Sequence, residues 1–280
     1  MSTLDKGQSS GELGSPNDGD SILFWGDKSG NNHHAKKRAG SPTYNADGFN
    51  SKPTVKLSSA SLALDNSAIE FDGWSELTVL AALSHDDRNF ATLIGKSNYA
   101  GWMSNSRDLA WSIFTHRLDG GYNLWGPTVI TDTPSNYYGS NTGTKELQTQ
   151  DGGEPGYLVF SYTANSFELR VNGNQRINHT GLAGTIQQKP NLDVTIGGHH
   201  NGGGTNNMKI SELVVLDRIL DSSELSFAEL YLGSKWAIGS GSTPKLYDHN
   251  QSSIVYEDHS GGDRPFFFYG ASQNLSLIHI

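Results

Sequence analysis

Apolar residues in this chain come in short bursts, and each burst is closed by a cluster of Gly, Asn, Ser or Asp. Bursts of four to eight residues, alternating or continuous, predict β-strands joined by turns. Ser21 to Trp25, Thr54 to Leu57 and Ser61 to Leu64 are early examples. Leu77 to Leu83 is nearly continuous, which suits a central strand buried on both faces. Ala91 to Gly95, Leu109 to Phe114 and Gly121 to Trp125 follow, then Gly156 to Thr163. From Phe167 the pattern alternates strictly to Val171 and returns through Gln175 to Ile177 across Asn172-Gly173. That pair suits a two-residue type I′ turn, because both positions need positive φ. Leu192 to Ile196 and Lys209 to Leu216 complete the run.

One segment has the other period. Asp221 as N-cap with Glu224 three residues on is a capping-box start. Leu225, Ala228, Leu232 and Trp236 then share one helical face, and Gly239 is the expected stop. Gly239 to Pro244 reads as a linker, with further strands expected at Ser253 to Glu257 and Pro265 to Tyr269. Many strands and one helix predict an all-β fold, a two-sheet antiparallel sandwich. The expected organisation is a domain over 1–238, a linker and the start of a further segment over 239–274, and a separate tail at 275–280. The tail reads Leu-Ser-Leu-Ile-His-Ile, which is what the end of a transposase sequencing adapter encodes. We read it as translated adapter, with the natural chain continuing past Asn274.

Composition narrows the classes. The chain has 280 residues, 33 of them Gly, and no Cys, so disulfides, thiolate metal sites and Cys nucleophiles are out. A hydrophobic fraction of 35 % with 10 % aromatics is too high for a disordered chain. A net charge of −9 argues against a phosphate-binding face for nucleic acid. No apolar run is long enough for a transmembrane helix. Met1 to Lys6 carries no apolar signal segment.

Four segments in order carry a resemblance. They are Trp25-Gly26-Asp27-Lys28-Ser29-Gly30-Asn31-Asn32-His33-His34-Ala35, then Ser41-Pro42-Thr43-Tyr44 with Gly48 to Pro53. Near the end come Ile210-Ser211-Glu212-Leu213 through Arg218 to Asp221, and Glu229-Leu230-Tyr231-Leu232-Gly233-Ser234-Lys235-Trp236. Together they resemble the LamG-like, concanavalin A-type jelly-roll domains of bacterial surface and secreted proteins. The proline-rich stretch that often follows the Lys-Trp ending is missing. The resemblance implies a jelly roll, an extracellular or cell-surface location, neighbouring domains in one longer chain, and calcium at the rim in some members. Trp25 and Trp236 are expected as core anchors, and Lys235 and Glu229 in ion pairs.

Hydrolases of this shape carry paired carboxylates on one strand. Glu70, Asp72 and Glu76 come nearest, but Gly73 interrupts them and they precede the central strand, so they read as a turn. No catalytic residue is assigned. His33-His34 and His199-His200 are adjacent pairs, which cannot readily chelate one ion from a strand. His199 and His200 sit in a Gly-rich stretch and are expected to be exposed. Calcium prefers oxygen ligands on irregular loops. Candidate ligands are Asp27, Asn31, Asp18 and Asp20, with Asn206 and Asn207 across the rim; the alternative is that they cap turns.

Sugar faces stack on exposed aromatic rings, and Asn98 to Asp151 is rich in them. Trp111 alternates with Leu109 and Ile113 and is expected in the core. Trp102, Trp125, Tyr137 and Tyr138 are the candidate ligand-binding residues. The expected function is a non-catalytic carbohydrate-binding or adhesion module with a glycan partner. The alternatives are a polysaccharide hydrolase or lyase, and a passive spacer in a long adhesin.

Overall fold

A computed structural model of the chain describes residues 4–5, 16–29, 31–65, 71–85, 91–98, 109–117, 123–132, 137–139, 155–202, 207–238 and 275–279. In chain order the strands are β1 (Leu4–Asp5), β2 (Phe24–Trp25), β3 (Ala35–Ala39), β4 (Thr43–Phe49), β5 (Lys52–Leu57), β6 (Ser61–Leu64), β7 (Glu76–His85), β8 (Ala91–Ser97) and β9 (Leu109–Arg117). They continue as β10 (Asn123–Ile130), β11 (Tyr137–Gly139), β12 (Gly156–Thr163), β13 (Ser166–Val171), β14 (Asn174–Thr180), β15 (Thr195–Ile196) and β16 (Met208–Leu216). Helix α1 (Ser222–Lys235) and strand β17 (Leu275–His279) follow.

The strands form two antiparallel sheets. One runs β1-β2-β3-β6-β15-β8-β9-β10-β11. The other runs β14-β13-β12-β7-β16-β5-β4, with β17 also on β16. The chain changes sheet repeatedly, from β3 to β4, β5 to β6, β6 to β7, β7 to β8, β11 to β12 and β14 to β16 through β15. This is the expected two-sheet jelly-roll sandwich with one short helix.

Three layers result. The inner faces of the two sheets share a core that includes Trp25, Trp111, Phe160 and Tyr162, all at most 1 % exposed. The outer face of the β7/β12/β16 sheet buries Leu80, Val159, Val214 and Leu216 against Ala228, Leu232 and Trp236 of α1. β7 and β16 are therefore apolar on both faces, which is why their sequences lack alternation.

Local rules account for the punctuation. Asn172 (φ 48°) and Gly173 (φ 77°) make the expected turn between β13 and β14. The Asp221 carboxylate accepts from the N–H of Ser223 and Glu224 at 2.8 and 2.9 Å, and Glu224 accepts from the Asp221 N–H at 3.0 Å. Glu224 also takes the Arg218 fork at 2.6 and 2.8 Å, which holds its carboxyl below the usual range.

The helix stops earlier than Gly239. Ala237 takes the left-handed conformation (φ 51°), and the Ile238 N–H returns to the Gly233 carbonyl at 2.8 Å. Asn50, at the tip of the β4–β5 hairpin, donates to the carbonyls of Trp236 and Ala237 at 2.9 and 3.0 Å. Partners distant in sequence terminate this helix, so no glycine is needed. The strands expected at 253–257 and 265–269 lie outside the described residues.

Candidate functional site

The two outer faces of the sandwich differ. One is closed by α1. The other belongs to the nine-stranded sheet, and strand register defines what lies on it. Ala63, Thr195, Gly95, Ser112, Thr128 and Gly139 are successive cross-strand partners from β6 to β11. Their chain neighbours Leu62, Ile196, Trp111 and Val129 belong to the inner core, so this row faces outward. It consists of small residues and hydroxyls. Its centre is close-packed: Thr195, Thr128 and Ser112 are 0, 1 and 4 % exposed. Thr195 donates to the Gly198 carbonyl at 2.6 Å, whereas the Thr128 hydroxyl has no hydrogen-bond partner.

Gly95 is required in this row. A Cβ there meets Ser112 Cα and Oγ at 2.7 Å, and Ser112 Cα is main chain that cannot swing away. Gly95→Ala is expected to lower stability by about 1–3 kcal/mol through overpacking. Urea denaturation of the variant checks this.

The aromatic candidates fall at one end of the same sheet. Trp125 pairs with Thr115 on β9, and Tyr137 and Tyr138 of β11 pair with Ile130 and Val129 of β10. The structure thus brings Trp125, Tyr137 and Tyr138 onto neighbouring strands; their side chains are not among those described. Trp102 lies outside the described residues. Trp111 is fully buried, as expected. No Trp or Tyr among the described side chains is exposed.

The acidic candidates act as loop caps. Asp27 accepts from the Ser29 N–H, the Ser29 hydroxyl and the His33 N–H at 2.8, 2.8 and 3.0 Å. Asn31 follows in that turn, where its own N–H donates to Ser29 Oγ at 3.1 Å. In a second loop, Asp18 accepts from the Ala46 N–H at 2.9 Å and Asp20 from the Asn17 N–H at 2.6 Å. Asn207 accepts from the Ser58 hydroxyl at 2.6 Å, and Asn206 lies outside the described residues. Among the described residues no three acidic or histidine side chains converge on one point.

The carboxylate trio likewise does structural work. Asp72 sits in the turn before β7 and pairs with Lys96 Nζ at 2.7 Å, with the lysine fully buried between the sheets. It also accepts from the Lys189 N–H at 3.0 Å. Phe71 beside it packs on Trp74 and Trp111, with ring centroids 4.5 and 5.5 Å apart. Glu76 accepts from the Ile219 N–H at 3.2 Å, and Glu70 lies outside the described residues.

His199 overturns an expectation. It is 3 % exposed, although its Gly-rich surroundings suggested an open loop. Gly197 (φ 79°) turns the chain back over β8, where its N–H bonds the Leu93 carbonyl at 2.9 Å. The His200 N–H bonds the Ser97 carbonyl at 2.7 Å, and His199 Nδ1 lies 3.3 Å from Thr92 Oγ1. Burial pushes the His199 imidazole down to about 4. His200 is half-buried and accepts from the Asp193 N–H at 3.1 Å.

A second polar cluster lies under α1. Glu212 of β16, 1 % exposed, accepts from Trp236 Nε1 at 2.6 Å and from the Tyr231 hydroxyl at 2.7 Å. Lys235 Nζ stands 3.3 Å from the same carboxylate and 2.8 Å from the Tyr231 oxygen. Glu229 pairs instead with Arg170 of β13 at 2.8 Å. Both helix charges are paired, as expected, and both tie the helix to the sheet.

Sequence reasoning missed the hydroxyl row. Its members come from segments up to 132 residues apart, from Ala63 to Thr195, and no local motif links them. The only signal was the small residue at alternate positions of otherwise apolar strands.

No protein-family model and no curated protein sequence matches the chain. Solved structures do. The chain is similar to the botulinum neurotoxin serotype G binding domain at 12 % identity and a TM-score of 0.50, over 76 % of this chain and 51 % of that one. It is similar to tailspike protein 2 of the Escherichia coli O157:H7 bacteriophage CAB120 at 11 % identity and 0.49, over 79 % and 28 %. It is also similar to domain 4 of a GH43 extracellular arabinanase from Geobacillus stearothermophilus, in complex with arabinotriose, at 12 % identity and 0.45, over 69 % and 82 %. The chain spans about half the length of the neurotoxin binding domains it matches. At these identities the likeness is one of fold: a β-sandwich.

Proposed function

We propose that the chain is a non-catalytic carbohydrate-binding or adhesion module of a larger extracellular protein. The observation that carries this reading is the edge of the nine-stranded sheet, where β10 and β11 hold the candidate aromatics Trp125, Tyr137 and Tyr138. Aromatic side chains at a sheet edge supply the flat apolar surface on which sugar faces stack. Of the three carboxylates nearest a hydrolase pattern, Asp72 bonds a lysine and a main-chain N–H, and Glu76 bonds a main-chain N–H.

Glycan-array binding of the full chain, with and without chelator, tests the reading. A defined glycan is expected to bind, and Tyr137→Ala on the edge strand β11 is expected to weaken it about tenfold, the loss of one stacking contact. The chelator arm reads whether calcium at Asp18, Asp20, Asp27 or Asn31 takes part. No glycan bound in either arm sinks the reading. A passive spacer is the second reading; it rests on the absence of exposed Trp or Tyr among the described side chains, and it predicts that empty array.

A further inference from the structure

We infer that half of one edge of β16, the main chain of Glu212–Leu216, is a strand-acceptor site for an extended apolar segment of the same chain from beyond the helix. In this chain Leu275–His279 fills it.

The edge is left open for two reasons. β5 pairs with β16 only through Met208, Ile210 and the residue between them. The next position on β5 is Thr54 and then Pro53, which has no N–H to give to a ladder. The last link between the two strands is the Ser211 hydroxyl on the Pro53 carbonyl at 3.1 Å. At the same place β16 shifts register against β7, between Ile210 and Glu212. A bulge of this kind bends the strand and increases its twist. Beyond Pro53 the β4–β5 hairpin turns to the end of α1, where Asn50 holds the helix carbonyls. The sandwich therefore supplies a neighbour for one half of this edge and diverts that neighbour before the other half.

The open half needs a partner. Leu213 and Val215 belong to the inner core, and Val214 and Leu216 to the layer under α1. A main chain between two apolar layers has its N–H and C=O groups away from water, where unpaired groups cost free energy. An unpaired edge also templates pairing with other chains. β17 meets the need by antiparallel pairing in unbroken register, from Leu275 opposite Leu216 to His279 opposite Glu212.

Recognition of this kind is made by main-chain bonds, with side chains tuning it. Five extended residues suffice, three of them apolar (Leu275, Leu277 and Ile278), so the site is a property of β16 whatever the coding origin of 275–280. Tethering is feasible. Residues 239–274 give 36 residues of chain, against a span of about 13 Å along four residues of strand. A short tether raises the local concentration of the donor segment to about the millimolar range.

Amide hydrogen exchange on the full chain, read by NMR, tests the inference with a Leu277→Pro/Ile278→Pro variant. Proline removes two N–H groups from the donor strand. The Glu212–Leu216 amides that point away from β7 are expected to exchange at least about tenfold faster in the variant, with those on the β7 side unchanged. Adding the free peptide LSLIHI to the variant is expected to restore protection saturably. Equal protection in both proteins with the variant monomeric overturns the assignment of β17 to this edge. Equal protection accompanied by dimerisation in light scattering also overturns it, because the occupant is then a second copy. Loss of protection that the peptide fails to restore overturns the claim that the edge recognises an apolar strand.

Discussion

Glu212→Ala is expected to lower the stability of the domain by about 3–5 kcal/mol, the range for removing one partner of a buried charged pair. The carboxylate gathers three side chains at the C-terminal end of α1: the indole of the C-cap Trp236, the hydroxyl of Tyr231 and the ammonium of Lys235. Glu212 is 1 % exposed, and the Trp236 indole lies in the layer with Val214, Leu216 and Leu232. Truncation removes the acceptor from each donor and leaves a void beside Trp236. The loss should appear as a fall in the urea midpoint at unchanged slope, and as a drop in Tm of about 10 °C for a domain of this size. Glu212→Gln keeps the shape and one acceptor oxygen, so it is expected to cost about 1–3 kcal/mol. A change below about 1 kcal/mol for the alanine variant would mean that apolar packing alone seats the helix.

The second large effect is on pH. His199 is held neutral by burial, with its value down to about 4 from 6.5. The unfolded chain binds a proton at this residue below about 6.5, and the folded chain does not until about 4. Between those values the unfolded state holds more protons, so stability falls as pH falls. The contribution is complete near pH 4, reaches about 3 kcal/mol, and is absent above about 6.5. His199→Gln removes the titration. Stability measured from pH 7 to pH 4 should therefore decline less steeply in the variant. Parallel curves for the two proteins would show that His199 takes up a proton in the folded state as readily as in the unfolded one.

Much of the fold was legible because it follows from local rules. Alternation along Phe167 to Val171, the Asn172-Gly173 turn and the Asp221–Glu224 cap each depend on a few consecutive residues, and each stands where expected. Trp25 and Trp236 are core anchors, as their motifs implied. The strand β3 was not legible: Ala35-Lys36-Lys37-Arg38-Ala39 has the polarity of a loop. It is a strand because β2 and β6 offer ladders on both sides, while Lys36 and Arg38 are paired with Asp65 and Asp193. The candidate site was half legible. Aromatic richness pointed to the stretch that forms β9 to β11, but the hydroxyl row emerges only when six strands are set in register.

The sequence by itself determined the kinds of element and their ends, because periodicity, positive-φ turns and helix caps are set by neighbours in the chain. Tertiary structure decided which residues are enclosed and which edges stay open. His199 is buried because Gly197 folds it back over β8. Glu212 meets Trp236 because α1 crosses the sheet there. Half of the β16 edge takes β17 as its neighbour because Pro53 ends the ladder with β5 and the hairpin turns away. Each of these depends on groups far apart in the chain, and burial and pairing energies act only once the fold has brought such groups into contact.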